Sequence, residues 1–352
     1  MARYLVVGNL AYPAQQDMKI FLSHPEAEFL HRGPGKDMQG AQKRTDREIL
    51  EDVKQRKYEF IFAGANRFPH FNPRKGFFDN LANVIGKTFQ NPHILTGGFP
   101  YARNADRLVG LDLECCPVID NRRFQMLDLS ICYFKRDLPQ NPCYAFLYTH
   151  PKTENGGNVM LTRPFNRWLD KLRPISLGIE DAKAEKLAAV EAPKKADVFF
   201  AGDLSGRPNR LAGIHHLERL KSEGYQIDIS TEKLPFDEFI RRCAQAYLVW
   251  SPEGFAWDCY RHYEVAAAGS VPLLMTSPSY CYKPFMDNET AVFYHVEGDH
   301  LAVRVRQALQ NRAHLAKIGQ AARQFVLKWH THGALARYVI EESRRTLAMK
   351  TK

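Results

Sequence analysis

Short apolar segments alternate with amphipathic stretches through the second half of the chain. Four of these segments are predicted as strands: 198–202, 225–229, 247–250 and 271–275. The stretches between them carry apolar residues at helical spacing. Helices are predicted to begin at Pro208, at Pro235 and near Trp257, because proline favours the first turn of a helix and the last stretch ends at Gly269.

Strands that alternate with helices of about 10–15 residues indicate βαβ units and a parallel sheet. Right-handed crossovers place every loop that follows a strand at the same edge of such a sheet, which is where its ligands bind. We therefore expect loops 202–208, 251–256 and 276–280 to converge on one site. The tail from about 301 to 347 has the pattern of helices with a basic polar side.

The first half is also α/β but less regular. Strands are predicted at 4–7, 59–62 and 107–111, and Thr45 to Glu48 form a capping box that begins a helix. The length of 352 residues suits two domains. Residues 181–196, rich in Ala, Lys and Glu, are interpreted as a partly helical linker between an N-terminal domain, 1–180, and a C-terminal domain, 197–352, whose last helices are expected to cross back to the first domain.

Composition places the chain among globular proteins, with 45% hydrophobic and 25% charged residues. The net charge of +10 attracts phosphates, nucleic acid or an anionic membrane without choosing between them. Seven cysteines without a Cys-x-x-Cys pair argue against a disulfide framework and a structural zinc site. Because no apolar run is long enough for a bilayer span or a signal peptide, a cytoplasmic location is expected.

The most informative segment runs from Trp250 to Leu274. A strand ends in the Ser251-Pro252 and Gly254 turn, a helix then presents Arg261 and Glu264 one turn apart, and Ala-Ala-Gly-Ser-Val-Pro leads into the next strand. This arrangement resembles the donor-binding segment of GT-B glycosyltransferases and is most similar to the exostosin family. The resemblance extends more weakly to 200–210, 128–136 and 173–178, and covers roughly residues 105–290.

The resemblance implies roles for individual residues in binding a nucleotide-sugar donor. Glu264 would accept the ribose hydroxyls, and Arg261 would donate to phosphate. Donor-binding residues are predicted at the strand ends and helix starts: Gly202, Arg207, Arg210, Ser251, Gly254, Arg261 and Glu264. Where the family usually has an arginine, this chain has Glu253, which removes one phosphate contact.

The same resemblance implies a fold of two Rossmann-like domains facing each other across a cleft. It also implies an inverting transfer from a UDP-sugar, without a metal or other cofactor. The acceptor would be a growing surface glycan or glycolipid, and the positive charge would favour peripheral contact with the inner face of an anionic membrane.

An inverting transfer needs a general base, expected at a strand end of the first domain. Asp112 follows a predicted strand and is the first candidate, with Glu114 and His150 behind it. Other hypotheses remain open at this stage. Asp112-Leu113-Glu114 could instead hold a divalent cation in a GT-A enzyme, and the chain could glycosylate DNA or bind a nucleotide or nucleic acid without catalysis.

Overall fold

The computed structural model describes residues 3–8, 16–31, 45–64, 78, 102–115, 117–119, 123–146, 166–205, 207–254 and 256–350. The chain forms two compact units. Unit 1 contains Met1–Ile175 and Ala336–Lys352, and unit 2 contains Ser176–Leu335. No helix in the described ranges is both long enough and apolar enough to cross a membrane.

Unit 1 contains a six-stranded parallel sheet in the order β2-β1-β3-β4-β5-β6. Its strands are β1 Tyr4–Gly8, β2 Ala27–His31, β3 Phe60–Gly64, β4 Leu108–Asp112, β5 Cys132–Lys135 and β6 Leu172–Pro174. The three predicted strands correspond to β1, β3 and β4. The other three were not predicted; β5 and β6 have only four and three residues, and one residue of β6 is buried, so these two segments are too short for a clear period.

The α-helices in the described part of unit 1 are Asp46–Lys54, Phe124–Leu129, Asn166–Leu169 and the part of His332–Lys350 from Ala336 onward. The predicted capping box is confirmed, since the Thr45 hydroxyl accepts the Glu48 amide at 3.3 Å and the Glu48 carboxylate accepts the Thr45 amide at 2.7 Å. The helix that it begins buries Ile49 and Val53 in the core.

Unit 2 contains a five-stranded parallel sheet in the order β11-β10-β9-β7-β8. Its strands are β7 Ala196–Ala201, β8 Ile227–Ser230, β9 Ala246–Trp250, β10 Val271–Met275 and β11 Val292–Tyr294. The first four were expected from the sequence. The three-residue strand β11 was not expected, because so short a segment shows no clear alternation of hydrophobic and polar residues.

Helices lie between the strands of unit 2 and continue to its end. They are Asp181–Ala188, Pro208–Ser222, Phe236–Gln245, Tyr260–Ala267, His300–Leu309, Arg312–Trp329 and the first residues of His332–Lys350. The helix Pro208–Ser222 packs closely against the sheet at Gly213. A Cβ there would lie 2.1 Å from the Trp250 ring, so only glycine allows the helix to approach β9 this closely.

Two local expectations need correction. The segment 181–196 is not simply a linker: Asp181–Ala188 is a helix whose Ala184 and Leu187 are buried in the core of unit 2, and β7 already begins at Ala196. The helix predicted from about Trp257 begins at Tyr260. Cys259 has an extended backbone, and the Asp258 carboxylate before it accepts the Leu177 amide at 2.7 Å, which holds the chain out of helical geometry.

Candidate functional site

A pocket of about 520 Å³ lies in unit 2 at the carboxyl ends of β7 and β8. Four predicted donor-binding residues border it: Gly202, Arg210, Arg261 and Glu264. The loop Thr231–Leu234, which follows β8, and the side chain of Phe239 complete much of the wall. The convergence at one sheet edge thus holds for the loop after β7 and the helix after β9, as the parallel topology requires.

Arg261 is positioned by an aromatic ring and by a glycine. Its guanidinium carbon lies 5.7 Å from the centre of the Phe200 ring, a cation–π arrangement. A Cβ at Gly202 would lie 2.8 Å from Nη2 of Arg261, so the absence of a side chain at Gly202 makes room for the guanidinium. Nη1 of Arg261 is buried and has no hydrogen-bond partner among the described residues, which leaves a donor suited to an anion.

Arg207 and Arg210 are bound to backbone carbonyl groups. Arg207 donates to the Gly254 carbonyl at 2.7 Å, and Arg210 donates to the carbonyls of Asp203 at 2.8 Å and Glu253 at 2.8 Å. These bonds tie the loop after β7 to the loop after β9, so both arginines shape the site. Gly254 contributes only its carbonyl oxygen to these contacts, as the acceptor for Arg207.

The three arginines also act on each other electrostatically. Burial, followed by the charges of Arg261 and Arg207, lowers the pKa of Arg210 from its ordinary value. Glu253 lies beside this group, where its Oε1 accepts from the Asn209 amide at 2.5 Å. Its Oε2 is buried without a partner among the described residues. The Glu253 carboxylate therefore has an acceptor atom without a partner among the described residues, close to three arginines.

Glu264 forms an ion pair that the sequence did not indicate. Its Oε1 lies 2.5 Å from Nζ of Lys183, on the helix Asp181–Ala188, and its side chain is only 13% exposed. Nζ of Lys183 also lies 4.6 Å from the centre of the Phe236 ring. One carboxylate oxygen is thus oriented by Lys183, while the residue still borders the pocket.

Ser251 does not border the pocket; it is fully buried behind it. Its Oγ lies 2.8 Å from Nδ1 of His262, whose Nε2 lies 2.7 Å from the Trp257 carbonyl oxygen. The prediction that Ser251 contacts the donor is therefore replaced by a supporting role. Sγ of Cys259, which does border the pocket, lies 3.5 Å from the same Nδ1.

The first candidate base, Asp112, lies at the end of β4 in a buried ionic network of unit 1. Its carboxylate has no exposed surface and accepts from Arg123 at 2.6 Å and from the Tyr133 hydroxyl at 2.9 Å, with Nζ of Lys135 at 3.6 Å. Burial opposes ionisation most strongly, but the charges of Arg123 and Lys135 outweigh it and lower the pKa of Asp112. A fully buried, paired carboxylate of low pKa is poorly suited to accept a proton, so this geometry favours a structural role.

The two other base candidates are Glu114 and His150. Glu114 is paired with the same Arg123, but its side chain is 21% exposed, whereas that of Asp112 has no exposed surface. His150 lies outside the described residues. Within the described ranges, no group of three or more His, Cys, Asp and Glu side chains is arranged to hold a metal ion.

Sequence reasoning missed Lys183, the Cys259–His262 contact and the loop Thr231–Leu234. Only the loop had a usable signal, because it directly follows the predicted strand 225–229 and so belongs at the same sheet edge. Lys183 lies 81 residues from its partner in the chain, and no local pattern relates the two positions.

Comparisons with known proteins agree with this architecture. Residues 241–341 match the family model described as glycosyl transferase-like. No curated protein matches the sequence. The structure resembles a glycosyltransferase from Rickettsia africae, with 11% identity, a TM-score of 0.53 and 98% of each chain covered.

Two further solved structures have a similar fold. An alpha,alpha-trehalose-phosphate synthase (UDP-forming) from Burkholderia vietnamiensis shares 10% identity at a TM-score of 0.54, covering 100% of this chain and 99% of its own. A trehalose-6-phosphate structure from E. coli bound with UDP-2-fluoro glucose shares 10% identity at a TM-score of 0.52, covering 98% and 99%. At such identities the likeness concerns the fold, which is GT-B.

The GT-A hypothesis is therefore wrong, since two parallel sheets of this kind match GT-B neighbours over nearly their whole length. The fold comparison covers the whole chain, whereas the family match covers residues 241–341. That segment includes the helix that carries Arg261 and Glu264. Together the two comparisons show a chain with the GT-B fold whose residues 241–341 match a glycosyl transferase-like family model.

Proposed function

We propose that this enzyme transfers a sugar from a nucleotide-sugar to a hydroxyl acceptor, with the donor bound in the pocket of unit 2. The observation that carries the proposal is the joint presence of Arg261 and Glu264 at that pocket. Arg261 offers a buried guanidinium donor without a partner among the described residues, and Glu264 offers a carboxylate held in place by Lys183.

These two groups match the chemistry of a nucleoside diphosphate. A guanidinium donates in a fixed fork to phosphate oxygens, whereas a carboxylate can accept two ribose hydroxyls at once. Both lie on the helix Tyr260–Ala267, and Arg261 is in its first turn, where the helix dipole also favours an anion. The departing diphosphate would thus be stabilised by fixed charges and dipoles without a required metal.

We propose a UDP-sugar as the donor. The exostosin-like motif at 250–274 supports this choice, and two fold neighbours are a UDP-forming synthase and a structure bound with UDP-2-fluoro glucose. The same motif supports an inverting reaction. In it the acceptor oxygen attacks the anomeric carbon, the bond to the diphosphate oxygen breaks, and a base takes the hydroxyl proton. Glu114 is the described candidate for that base.

The proposed acceptor is a growing surface glycan or glycolipid, reached by peripheral contact with an anionic membrane. The net charge of +10 supports this contact, because basic proteins are attracted to the anionic inner leaflet. Nucleic acid would be attracted by the same charge, so DNA glycosylation is the alternative that an acceptor assay must compare.

The test is calorimetric titration of the protein with UDP, followed by measurement of donor hydrolysis. UDP should bind to the wild type, and Glu264→Ala should weaken binding about ten- to a hundredfold, since losing a charged hydrogen bond costs about 1.5–3 kcal/mol. Glu218→Ala is the matched control, because this glutamate is 61% exposed on another helix of the same unit.

A thermal-shift screen over UDP-, GDP-, CMP- and dTDP-sugars would identify the donor, because a ligand at about 100 times its Kd adds about 2.7 kcal/mol of stability. An active transferase should also release sugar to water slowly. Equal UDP affinity in the wild type and Glu264→Ala would refute the assigned site, and binding without any hydrolysis or transfer would favour a non-catalytic nucleotide-binding protein.

A further inference from the structure

We propose that Cys259 and His262 form a thiol–imidazole pair that makes Cys259 a covalent modification site inside the donor pocket, open to small disulfides and soft electrophiles. Neither residue has a part in the transfer reaction as proposed above. The site itself follows from geometry alone, while its consequence for donor binding rests on the proposed function.

The geometry places a nucleophile at the pocket wall and a base behind it. Cys259 is half-buried, borders the pocket and directly precedes the helix Tyr260–Ala267. Its Sγ lies 3.5 Å from Nδ1 and 3.7 Å from Nε2 of His262. His262 is 1% exposed, so the imidazole is shielded and the thiol is the member of the pair that a reagent in the pocket can reach.

The hydrogen bonds of His262 determine which nitrogen can act. Nε2 lies 2.7 Å from the Trp257 carbonyl, which can only accept, so Nε2 carries a proton. Nδ1 is then the acceptor nitrogen of the neutral ring; it accepts from the Ser251 hydroxyl at 2.8 Å and also lies near the Cys259 sulfur. When Nδ1 takes the thiol proton, the Ser251 hydroxyl turns to accept from Nδ1, and a thiolate and an imidazolium face each other.

The surrounding charges support the thiolate. Burial raises the pKa of Cys259 most, but the charge and hydrogen bond of His262 and the charge of Arg261 outweigh it, so the pKa is lowered; Asp258 opposes this shift. The charge of the Cys259 thiolate also acts on Arg210, where it raises the pKa of the guanidinium. By contrast, burial raises the pKa of Cys132 to about 11, because the Ser343 hydrogen bond and the charge of Arg173 lower it too little to offset burial.

The modification step is thiol–disulfide exchange. The Cys259 thiolate attacks one sulfur of a small disulfide, a new S–S bond forms, and the original S–S bond breaks. The other half leaves as a thiolate and takes the proton from His262 or from water. The bound half then occupies part of a pocket of about 520 Å³ beside Arg261 and Glu264, so donor binding is blocked until a thiol reverses the exchange.

The first experiment measures reaction rates of individual thiols by peptide mass spectrometry, using glutathione disulfide and iodoacetamide. Cys115, which is exposed, is the internal reference within the same folded protein. At pH 7 Cys259 should react about tenfold faster than Cys115, and its rate should reach a plateau at lower pH, because the thiolate is the nucleophile. A Cys259 rate equal to or below that of Cys115 at every pH overturns the proposal.

Two variants test whether the reactivity of Cys259 depends on the His262 imidazole or only on the accessibility of the thiol. His262→Gln keeps polar side-chain groups but cannot become a cation, so the pH plateau should move up toward that of Cys115. Should that variant not fold, the wild-type pH profile alone decides. Ser251→Ala, which leaves the imidazole in place, should retain fast modification, and an unchanged profile in folded His262→Gln would contradict the role of the imidazole.

Protection of Cys259 by UDP tests whether the modification site lies in the donor site, and its outcome is distinguishable from a failure of the donor assignment. UDP at saturating concentration should slow modification of Cys259 about tenfold or more while leaving Cys115 unaffected. If calorimetry detects no UDP binding but Cys259 remains fast, the donor assignment fails and the modification site stands. If UDP binds and gives no protection, the site does not lie where the donor sits, and the proposed block is refuted.

Discussion

The ammonium group of Lys183 lies 2.5 Å from Oε1 of Glu264, so the helix Asp181–Ala188 supports a carboxylate on the helix Tyr260–Ala267. Lys183→Met removes the charge and keeps much of the volume. We expect UDP affinity to fall about three- to tenfold, because Glu264 remains but loses its fixed orientation. Calorimetry measures the change.

Lys186→Met is the matched control for Lys183→Met. Lys186 lies on the same helix but pairs with Asp237 in an exposed position, with 57% of its own side chain accessible. Its substitution should leave UDP affinity unchanged. An equal loss in both variants would mean that the helix as a whole, and not the Lys183–Glu264 pair, supports binding.

Gly202→Ala should weaken donor binding without unfolding the protein. The added Cβ would lie 2.8 Å from Nη2 of Arg261, and the guanidinium must move to avoid it. A flexible side chain can make that movement at small cost to stability, but its donor group is then displaced from the diphosphate. We expect at least about a fivefold loss of UDP affinity with a nearly unchanged unfolding temperature. Wild-type affinity would show that Arg261 does not need its observed position.

Asp112→Asn should destabilise unit 1. The substitution leaves the buried cations Arg123 and Lys135 without their shared carboxylate, and breaking a buried ion pair costs about 3–5 kcal/mol. Asp106→Asn is the control, because its pair with Arg56 is exposed. Denaturant unfolding compares the two variants. Normal stability combined with a turnover loss of about a hundredfold would restore Asp112 as the general base.

The stability of the protein should fall as the pH drops from about 6.5 toward 4. Burial lowers the pKa of His330 from 6.5 to about 4, although the charge of Asp258 and the hydrogen bond to the Lys283 carbonyl act in the opposite direction. Between these values the unfolded state binds a proton that the folded state does not. Protonation therefore favours unfolding, by up to about 3 kcal/mol.

Urea denaturation at several pH values measures this loss. His330→Gln should be less stable at neutral pH but should lose less stability on acidification. His215→Gln serves as the control, because His215 is 79% exposed and is expected to leave the wild-type pH dependence intact. A wild-type slope retained in His330→Gln would assign the acid sensitivity to other groups.

Turnover should survive EDTA. The proposed stabilisation of the leaving diphosphate by Arg261 and by the start of the helix Tyr260–Ala267 needs no cation. The assay is donor hydrolysis before and after chelation. Activity that disappears with EDTA and returns with manganese or magnesium would contradict this expectation and direct attention to carboxylates outside the described residues.

The sequence by itself determined most strands and helices of unit 2 and which of its residues meet at one pocket. In unit 2, the alternation of short apolar strands with amphipathic helices requires parallel pairing, and parallel pairing brings the strand ends to one edge. Gly202, Arg261 and Glu264 follow such ends, so their meeting at one pocket could be predicted. The Thr45 capping box was equally readable, because both of its hydrogen bonds are local.

Only the tertiary structure decided what each polar side chain contacts. Lys183 reaches Glu264 across 81 residues, Arg210 is used on carbonyl groups, and Ser251 is buried against His262. Asp112, which follows a strand as a catalytic residue would, is surrounded by Arg123 and Lys135 instead of solvent. The physical reason is that periodicity fixes which face a residue occupies, whereas burial and charge pairing depend on segments distant in the chain that pack against that face.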